Sequence, residues 1–555
     1  MGQPALNRRR FLTLSGMATG LVLSPTLLAA CAPEGKPVKS SRAGTGVLRV
    51  GWTSEPDLLN PFTFASSAAA EIIALVYDKL LDYDADLKIV GSLANDATYS
   101  DDGLSITYAL REGVTWQDGK PLTADDVTFT WQLIADNNLG QAAQYLLQLE
   151  KVEATDAQTV VATFTHPQAF DPGLIIPIVP QHVWSGMSGK DVSKFNNPEP
   201  MGSGPYTFTS WTKGQSVELA RNDDWWGEAP AAAKVTFVHF DSADVMTQSF
   251  VSGDLDVLTE VPPVLWDGLT STTGITAVEL PSFSFHHIGM NVSTNPASTG
   301  SPLLLDKVVR QALSLGTDRS QLVELALAGH GEPGSVLLPS AFGDAQFQVP
   351  ADQLLDANPD KAMAMLDDAG YQVGSDGVRV SADGQKLSFR LIAIQATDVD
   401  VRAAQLFVSS AKKIGIEVNL QTLDENTLSD LVYNADAPDF DLYVWGWDSG
   451  TADPDYLLGI PLTSQIGNNN DTYYANPSYD ELYDQQATTV DPAARLDLVH
   501  QMQQMYYDDA AYIVMWYQSK LQAYRSDTWD GWVESPGGMV FNFTRSNYLG
   551  VTPVE

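Results

Sequence analysis

The sequence contains few residue combinations that could do chemistry, and the clearest is the adjacent pair His286 and His287. Adjacent side chains on a strand point to opposite faces, so the two imidazoles cannot bind one metal ion without a turn. The other histidines lack metal-site spacing, and no nucleophile-elbow, zinc-protease or phosphate-loop motif occurs. With 69 acidic residues, carboxylate pairs arise by chance and do not indicate a hydrolase. We therefore expect no catalysis, no cofactor and no bound metal.

The only cysteine, Cys31, stands at the end of a segment typical of an export signal. Residues 7–13 contain Arg-Arg-x-Phe-Leu, which resembles a twin-arginine signal, and residues 14–30 are almost entirely apolar. The run ends in Leu-Ala-Ala-Cys, which resembles a bacterial lipobox whose thiol accepts a diacylglycerol. We expect residues 1–31 to be a lipoprotein signal of the Tat type. Residues 32–46 are rich in Pro, Gly, Ser and Lys and are expected to form a flexible tether.

Composition excludes several other roles. The formal net charge is −38, and a surface this negative repels nucleic acid and anionic lipid headgroups. The excess of acid has two possible explanations, namely solubility or adaptation to salt on one side and attraction of cationic ligands on the other.

A length of 555 residues predicts two to four lobes.

Strand and helix signals alternate along the chain. Residues 47–52 form a short β-branched run that predicts a strand. Thr123, with Asp126 three residues later, predicts the start of a helix. Asn358 and Asp491 each precede a proline and predict two further helix starts. This alternation of strands with helices indicates α/β lobes.

The longest motif is at residues 108–129, Tyr-Ala-Leu-Arg-Glu-Gly-Val-Thr-Trp-Gln-Asp-Gly-Lys-Pro-Leu-Thr-Ala-Asp-Asp-Val-Thr-Phe. It resembles a signature segment of the family 5 extracellular solute-binding proteins, the oligopeptide, dipeptide and nickel receptors of ABC importers. Shorter matches follow in the order found in that family, over almost the whole mature chain, at residues 202–206, 221–226, 253–256, 309–312 and 446–455.

The resemblance implies a periplasmic-binding-protein type II fold with three lobes. Two lobes close on the ligand about a hinge, and an extra α+β lobe lies beside them. By analogy, the first lobe is discontinuous and comprises residues 47–79, 202–287 and 523–555. The extra lobe comprises residues 80–201, and the opposing lobe comprises residues 288–522.

The resemblance also indicates where the ligand binds, and here the sequence departs from the family. Peptide-binding relatives have an Asp that pairs with the ligand's α-ammonium, and that position is Gly450 in this chain. The Arg that oligopeptide receptors place three residues before the Trp of the Gly-Trp pair is Val444. Asp448 shares a side of an extended strand with Gly450 and could supply a substitute carboxylate. The alternative is that Asp448 is a solvated loop acid.

In the family, the segment around this Gly-Trp pair lines the pocket, and aromatic faces cover peptide side chains or stack on sugar rings. Alternation along a strand places Trp445 and Trp447 on one face and Gly446 and Asp448 on the other. A loop containing Glu55 reaches the ligand in relatives, and His286 precedes the crossover between lobes. The predicted ligand-binding residues are Glu55, His286, Trp445, Gly446, Trp447, Asp448 and Gly450.

These signals together predict the substrate-binding lipoprotein of an ABC importer. It is expected to capture a peptide-like solute by cleft closure and to deliver it to a permease with its ATPase subunits. We expect a monomer, held by its lipid anchor only, at the cell surface or periplasmic face of the cytoplasmic membrane. An oligosaccharide, or a cationic or modified amine, is an alternative ligand class, and an exported hydrolase is a remote alternative function.

Overall fold

A computed structural model describes residues 46–187, 189–540 and 544–554. The predicted export signal, the lipidation site Cys31 and the tether as far as residue 45 lie outside the described residues. Within the described ranges, no helix combines the length and the apolar character that crossing a membrane requires.

The chain contains strands and helices throughout, which confirms the α/β prediction. In chain order the strands are β1 (Val47–Trp52), β2 (Leu81–Tyr83), β3 (Ile89–Gly91), β4 (Ala94–Tyr99), β5 (Ser105–Leu110), β6 (Leu149–Asp156), β7 (Thr159–Phe164), β8 (Tyr206–Thr212), β9 (Ser216–Arg221), β10 (Lys234–His239), β11 (Val257–Leu258), β12 (Ile275–Met290), β13 (Gly331–Pro333), β14 (Gln372–Val373), β15 (Arg379–Val380), β16 (Ser388–Ile394), β17 (Glu417–Leu423), β18 (Leu442–Asp448), β19 (Tyr512–Arg525), β20 (Trp529–Asp530) and β21 (Thr552–Pro553).

The helices, also in chain order, are α1 (Ser67–Val76), α2 (Ala124–Asn137), α3 (Gln181–Trp184), α4 (Gly189–Val192), α5 (Ala243–Val251), α6 (Trp266–Thr270), α7 (Lys307–Gly316), α8 (Arg319–Ala326), α9 (Pro359–Asp368), α10 (Asp398–Lys413), α11 (Glu425–Val432), α12 (Asp455–Gly459), α13 (Pro477–Thr488), α14 (Pro492–Asp509) and α15 (Ser546–Gly550).

The local signals for element starts are confirmed. Strand β1 occupies the predicted residues. Helix α2 begins after Thr123, whose backbone N–H donates to the Asp126 carboxylate at 3.0 Å. The Asn358 side chain caps α9, and the Asp491 carboxylate caps α14, each by accepting a hydrogen bond from the backbone N–H three residues later. Each cap satisfies a backbone donor that the helix leaves unpaired.

The main sheet has eleven strands and extends through most of the structure. Its spatial order is β17-β16-β18-β12-β19-β11-β1-β10-β9-β8, with β13 added beside β19. Strand β1 runs parallel to β10 and β11, and β16 runs parallel to β17 and β18. Parallel pairs need crossover connections, and α5 and α10 are the helices that connect β10 to β11 and β16 to β17.

The two long central strands, β12 and β19, pair antiparallel and join the two halves of this sheet. Their register shifts twice, between Pro281 and Phe285 and between His286 and His287. The expected lobe boundaries, 287/288 and 522/523, fall inside these strands. Hydrogen-bonded sheet therefore continues across both boundaries.

A separate four-stranded antiparallel sheet, β4-β5-β7-β6, packs against α2. The longest motif runs from the end of β5 into α2 and supplies much of this packing. Tyr108, at the start of the motif, meets Trp131, two residues after its end, edge to face with ring centroids 5.7 Å apart, and both are 0 % exposed. The motif is therefore architectural.

An ion pair ties β1 to β11 in the first half of the main sheet. Arg49 donates from Nε and Nη2 to the two carboxylate oxygens of Asp256, at 2.9 and 2.8 Å. Asp256 is 0 % exposed and also accepts from the Arg49 backbone N–H at 2.9 Å. A buried carboxylate needs such a partner because its desolvation is otherwise not compensated.

We expect Arg49→Met to lower the free energy of unfolding by about 3 to 5 kcal/mol, because it leaves the Asp256 charge buried without its partner. Guanidinium titration followed by circular dichroism measures the loss. The control is Lys88→Met, which removes a pair whose side chains are 73 % and 75 % exposed and whose loss costs at most about 1 kcal/mol. Equal effects of the two substitutions would show that the Arg49–Asp256 pair does not stabilise the fold.

Candidate functional site

The predicted binding segment is the end of strand β18 and the loop after it. The strand begins inside the protein, with Leu442, Tyr443 and Val444 all 0 % exposed. Residues 445–447 are half-buried, and Asp448 is exposed. Because β18 lies between β16 and β12, its carboxyl end emerges near the middle of the sheet. Val444 therefore packs in the core and lines neither cavity described below.

A cavity of about 580 Å³, here called the main cavity, opens beside this segment. Its walls come from residues between 61 and 83, between 142 and 177, between 448 and 456 and between 537 and 548, with Phe283 and Lys520. These segments are far apart in sequence, so folding creates the cavity. A volume of this size is typical of a small-molecule or peptide site.

Gly450 leaves open space in the wall of the main cavity. A Cβ atom built on Gly450 has no heavy atom within 4 Å. The position that the sequence resemblance aligns with an ammonium-binding Asp therefore has room for a side chain.

Charged side chains of both signs line the main cavity, and most of them pair with one another. Lys79 lies 3.0 Å from Asp82, and Arg545 lies 2.9 Å from Asp82 and 2.8 Å from Asp78. Asp448 differs, because neither of its carboxylate oxygens accepts a hydrogen bond from the part of the chain that the structure describes. Its nearest cation is the Lys520 ammonium, 3.9 Å away. Asp448 thus has acceptors available to a ligand.

The environment of Asp448 disfavours its charge. Burial between the surrounding walls raises the pKa of Asp448, and the charges of Lys520 and His286 offset only part of this shift. The side chain is nevertheless 61 % exposed, because it faces the space of the cavities. A carboxylate in this position gains when a cationic group arrives to compensate it.

A second cavity of about 380 Å³, here called the smaller cavity, lies next to the main one. It shares Asp448 and Lys520 with the main cavity. The structure brings four other predicted residues together here. The lining consists of Ser284, His286, Ile394, Thr397, Asp400, Glu425, Trp445, Gly446, Trp447, Asp448, Gln518 and Lys520.

The adjacent histidines point to opposite sides of β12. His286 lines the smaller cavity, lies 3.0 Å from Asp400 through Nδ1 and stacks on Trp516 at a centroid distance of 5.2 Å. His287 is 0 % exposed, and its Nε2 lies 3.7 Å from Asp471. Burial lowers the pKa of His287, although Asp471 acts in the opposite direction. The two rings therefore occupy different environments.

Trp445 and Trp447 alternate with Gly446 and Asp448 along β18, yet all four residues line the smaller cavity. Gly446 is paired with His286, and Asp448 with Ser284, on the neighbouring strand. Trp447 donates from Nε1 to the buried Asp471 at 3.1 Å. Trp445 packs edge to face on Tyr433, with centroids 6.5 Å apart. Both tryptophans contribute atoms to the smaller cavity while their rings are held by neighbours.

Glu55 lies outside the residues that line these two cavities. Its carboxylate accepts from Trp211 Nε1 at 3.1 Å and from the Gly214 backbone N–H at 2.7 Å. Strand β8 and the turn after it therefore hold Glu55. A ligand role for Glu55 stays a prediction.

Sequence reasoning missed several residues of the main cavity. Lys79, Tyr83, Tyr145, Lys520 and Arg545 line it but belong to no recognised ligand motif. Lys520 lies in β19, which pairs with the strand that contains the predicted crossover between lobes. Its position near the site could have been found from that pairing. The others carry no local signal, because only tertiary folding brings them to the cavity.

The carboxylates and histidines do not form a metal site. In the described ranges, no three His, Cys, Asp or Glu side chains are placed to hold one ion. The site therefore presents separated charges around two adjoining spaces.

Comparison with known proteins decides the family. Residues 88–469 match the bacterial extracellular solute-binding proteins, family 5 Middle. The chain belongs to this family. Its members are non-enzymatic receptors outside the cytoplasmic membrane that deliver solutes to the permease and ATPase subunits of ABC importers. The predicted family is confirmed.

Individual relatives match over nearly their whole length. Protein XP55 of Streptomyces lividans is 31% identical over 529 residues, covering 94% of this chain and 92% of that protein. Oligopeptide-binding protein AppA of Bacillus subtilis is 28% identical over 540 residues, covering 93% and 95%. The structure of AppA with a nonapeptide superposes with a TM-score of 0.73 at 26% identity, over 92% of this chain and 99% of that one. The type II binding-protein fold is thereby confirmed.

We expect Asp448→Asn to raise the melting temperature of the ligand-free protein at pH 7. The folded pKa of Asp448 is raised, so its ionised form opposes folding at pH values above the unfolded pKa of about 4. The gain shrinks as the pH falls through the folded pKa and disappears below about 4, where Asp448 becomes protonated in the unfolded state as well. Differential scanning calorimetry across this pH range measures the effect.

The control for this prediction is Asp118→Asn, for which we expect a lower melting temperature at pH 7. Although burial raises the pKa of Asp118, Lys120 and His182 outweigh that effect and lower it to about 2. Removing this charge therefore destabilises the protein at pH 7. A melting temperature that falls in Asp448→Asn as well would contradict the assigned environment of Asp448.

Proposed function

We propose that this receptor captures a peptide-like solute in the main cavity and that Asp448 pairs with the ligand's α-ammonium. The supporting observation is that Asp448, on the wall of a cavity of about 580 Å³, accepts no hydrogen bond from the described residues. A desolvated ammonium must meet a carboxylate, or the loss of hydration cancels the binding energy. Asp448 thus takes the role that Gly450 cannot perform.

The rest of the main cavity suits a zwitterionic chain. Lys79 and Arg545 line this cavity within a network that also contains Asp78 and Asp82, so a peptide carboxylate would share their N–H donors with these two acids. Tyr83, Tyr145 and Phe170 supply aromatic surface for side chains. Oligopeptide-binding AppA and its nonapeptide complex add support from the relatives.

Capture proceeds by closure of lobes on the ligand. In this structure residues of the proposed extra and opposing lobes already touch, since Ala169 N donates to Ala487 O at 3.1 Å and Tyr83 contacts the Thr451 side chain. One apolar core joins buried residues between 48 and 280 and between 529 and 551, from the proposed first and extra lobes, and a separate core between 288 and 516 supports the proposed opposing lobe. A ligand that touches both sides shifts the open–closed equilibrium by its differential affinity, and a nearly complete shift takes about 5.5 kcal/mol.

The receptor is also proposed to be a monomeric lipoprotein, exported by a twin-arginine signal and anchored through Cys31. The supporting sequence is Leu-Ala-Ala-Cys at the end of an apolar run that follows Arg-Arg-x-Phe-Leu. A single lipid-modified terminus keeps the receptor near its permease while leaving the cavities accessible.

We expect free pentapeptides to bind and their N-acetylated forms to bind at least about tenfold more weakly, a loss of about 1.4 kcal/mol. Acetylation removes the ammonium that Asp448 compensates. Isothermal titration calorimetry measures both affinities, and Asp448→Asn abolishes the difference.

The control for the peptide experiment is Asp86→Asn, an exposed acid that lines neither cavity. This variant retains the preference for the free amino terminus. If no peptide binds while an oligosaccharide raises the melting temperature, the peptide proposal fails and a sugar receptor replaces it.

We expect Cys31→Ser to release the protein from the membrane fraction, because serine has no thiol to accept the diacylglycerol. Fractionation and metabolic labelling with palmitate measure attachment. Ser40→Ala, in the proposed tether, is the control and stays attached. Lipid labelling that persists in Cys31→Ser would disprove the anchor, since the chain has no other cysteine.

A further inference from the structure

The smaller cavity differs from the main cavity in its charge. In the main cavity acids and bases are equal in number, with Glu71, Asp82 and Asp448 facing Lys79, Lys520 and Arg545. The lining of the smaller cavity has three carboxylates, one ammonium and one imidazole, from Asp400, Glu425, Asp448, Lys520 and His286. Its wall therefore carries a negative excess that the main cavity lacks.

Two of these carboxylates have no hydrogen-bonded partner. Asp400 is engaged by His286 at 3.0 Å. The carboxylate of Glu425, in the first turn of α11, forms no hydrogen bond or ion pair with any residue the structure describes. Asp448 has only the Lys520 ammonium, at 3.9 Å, beyond hydrogen-bonding range. Glu425 and Asp448 are thus available to a cation that enters the smaller cavity.

The placement of these carboxylates favours an extended organic cation over a metal ion. No three of the acidic and histidine side chains in the described ranges converge on a point where one metal ion could be held. A metal ion requires its ligands within about 2.0 to 2.6 Å of one centre. A guanidinium carries five N–H donors on a planar fork and can meet carboxylates that lie apart.

The smaller cavity adjoins the main cavity, and one of its walls is held by packed aromatic side chains. Asp448 and Lys520 line both spaces, so they stand where the cavities adjoin. The His286 ring lines the smaller cavity and stacks on the buried Trp516. Gly446 gives this ring its space, since a Cβ atom at Gly446 would lie 2.9 Å from His286 Nε2.

We propose that the smaller cavity is the subsite for an arginine side chain of the bound peptide, held by Glu425 and by Asp448, whose carboxylate lines both cavities and is shared with the ligand's α-ammonium. This assignment rests on the proposed peptide-binding function and adds a side-chain specificity to it. The negative wall repels an acidic side chain, and a neutral side chain leaves the Glu425 carboxylate without compensation.

The test uses alanine pentapeptides in which one arginine is moved through the five positions, each paired with its citrulline counterpart. Citrulline keeps the shape of arginine and removes the charge. Calorimetry on the full-length protein is expected to show at least tenfold tighter binding of arginine over citrulline at one position. Glu425→Gln reduces that ratio to about twofold or less. Glu481→Gln, an exposed acid that lines neither cavity, leaves the ratio unchanged.

The outcomes separate the subsite from the proposed function. Equal binding of arginine and citrulline peptides at all five positions overturns the subsite and leaves peptide capture standing. An arginine preference that Glu425→Gln does not alter overturns the placement in the smaller cavity. Failure of both peptide series to bind overturns the subsite together with the proposed function.

Discussion

Strands β12 and β19 pair along most of their length, and the arrangement of the site depends on this pairing. Their hydrogen bonds carry the main sheet from one half of the protein to the other. The pairing of β12 with β18 then fixes where the binding segment ends, and β19 brings Lys520 to the same place. The register shifts concentrate at Pro281–Phe285 and at His286–His287, beside the cavities. Backbone irregularity is thus located where the proposed movement of lobes has to be absorbed.

Asp448 shows how binding and folding make opposite demands on one side chain. Its surroundings disfavour the charge that a cationic ligand requires, whereas the paired acids nearby, such as Asp82, are stabilised by internal cations. Functional sites commonly retain groups that are suboptimal for the isolated fold. The contrast between a paired and an unpaired carboxylate in one cavity is what supports the proposal that Asp448, and not Asp82, meets the ligand.

Much of the fold and part of the site could be predicted from sequence. Helix caps such as Thr123 and Asp491 obey local rules, whereas strand alternation separates Trp445 from Gly446 although both line the smaller cavity. The cavity walls follow no local rule, so Lys79 and Arg545, which approach the same cavity from opposite ends of the chain, gave no signal. A hydrogen bond from Trp211, more than a hundred residues away in sequence, holds Glu55, and no local pattern reveals it. Long-range packing therefore accounts for what the sequence left undetermined.

The open space beside Gly450 has a consequence for how this receptor can change its preferences. A residue with no neighbour within 4 Å of its missing Cβ atom can be exchanged without repacking a core. Variation at that one position alters the charge and shape of the wall of the main cavity at little cost to folding. A duplicated copy of the gene could therefore acquire a different nutrient range through a single codon change, and the scaffold that recognises the importer would remain intact.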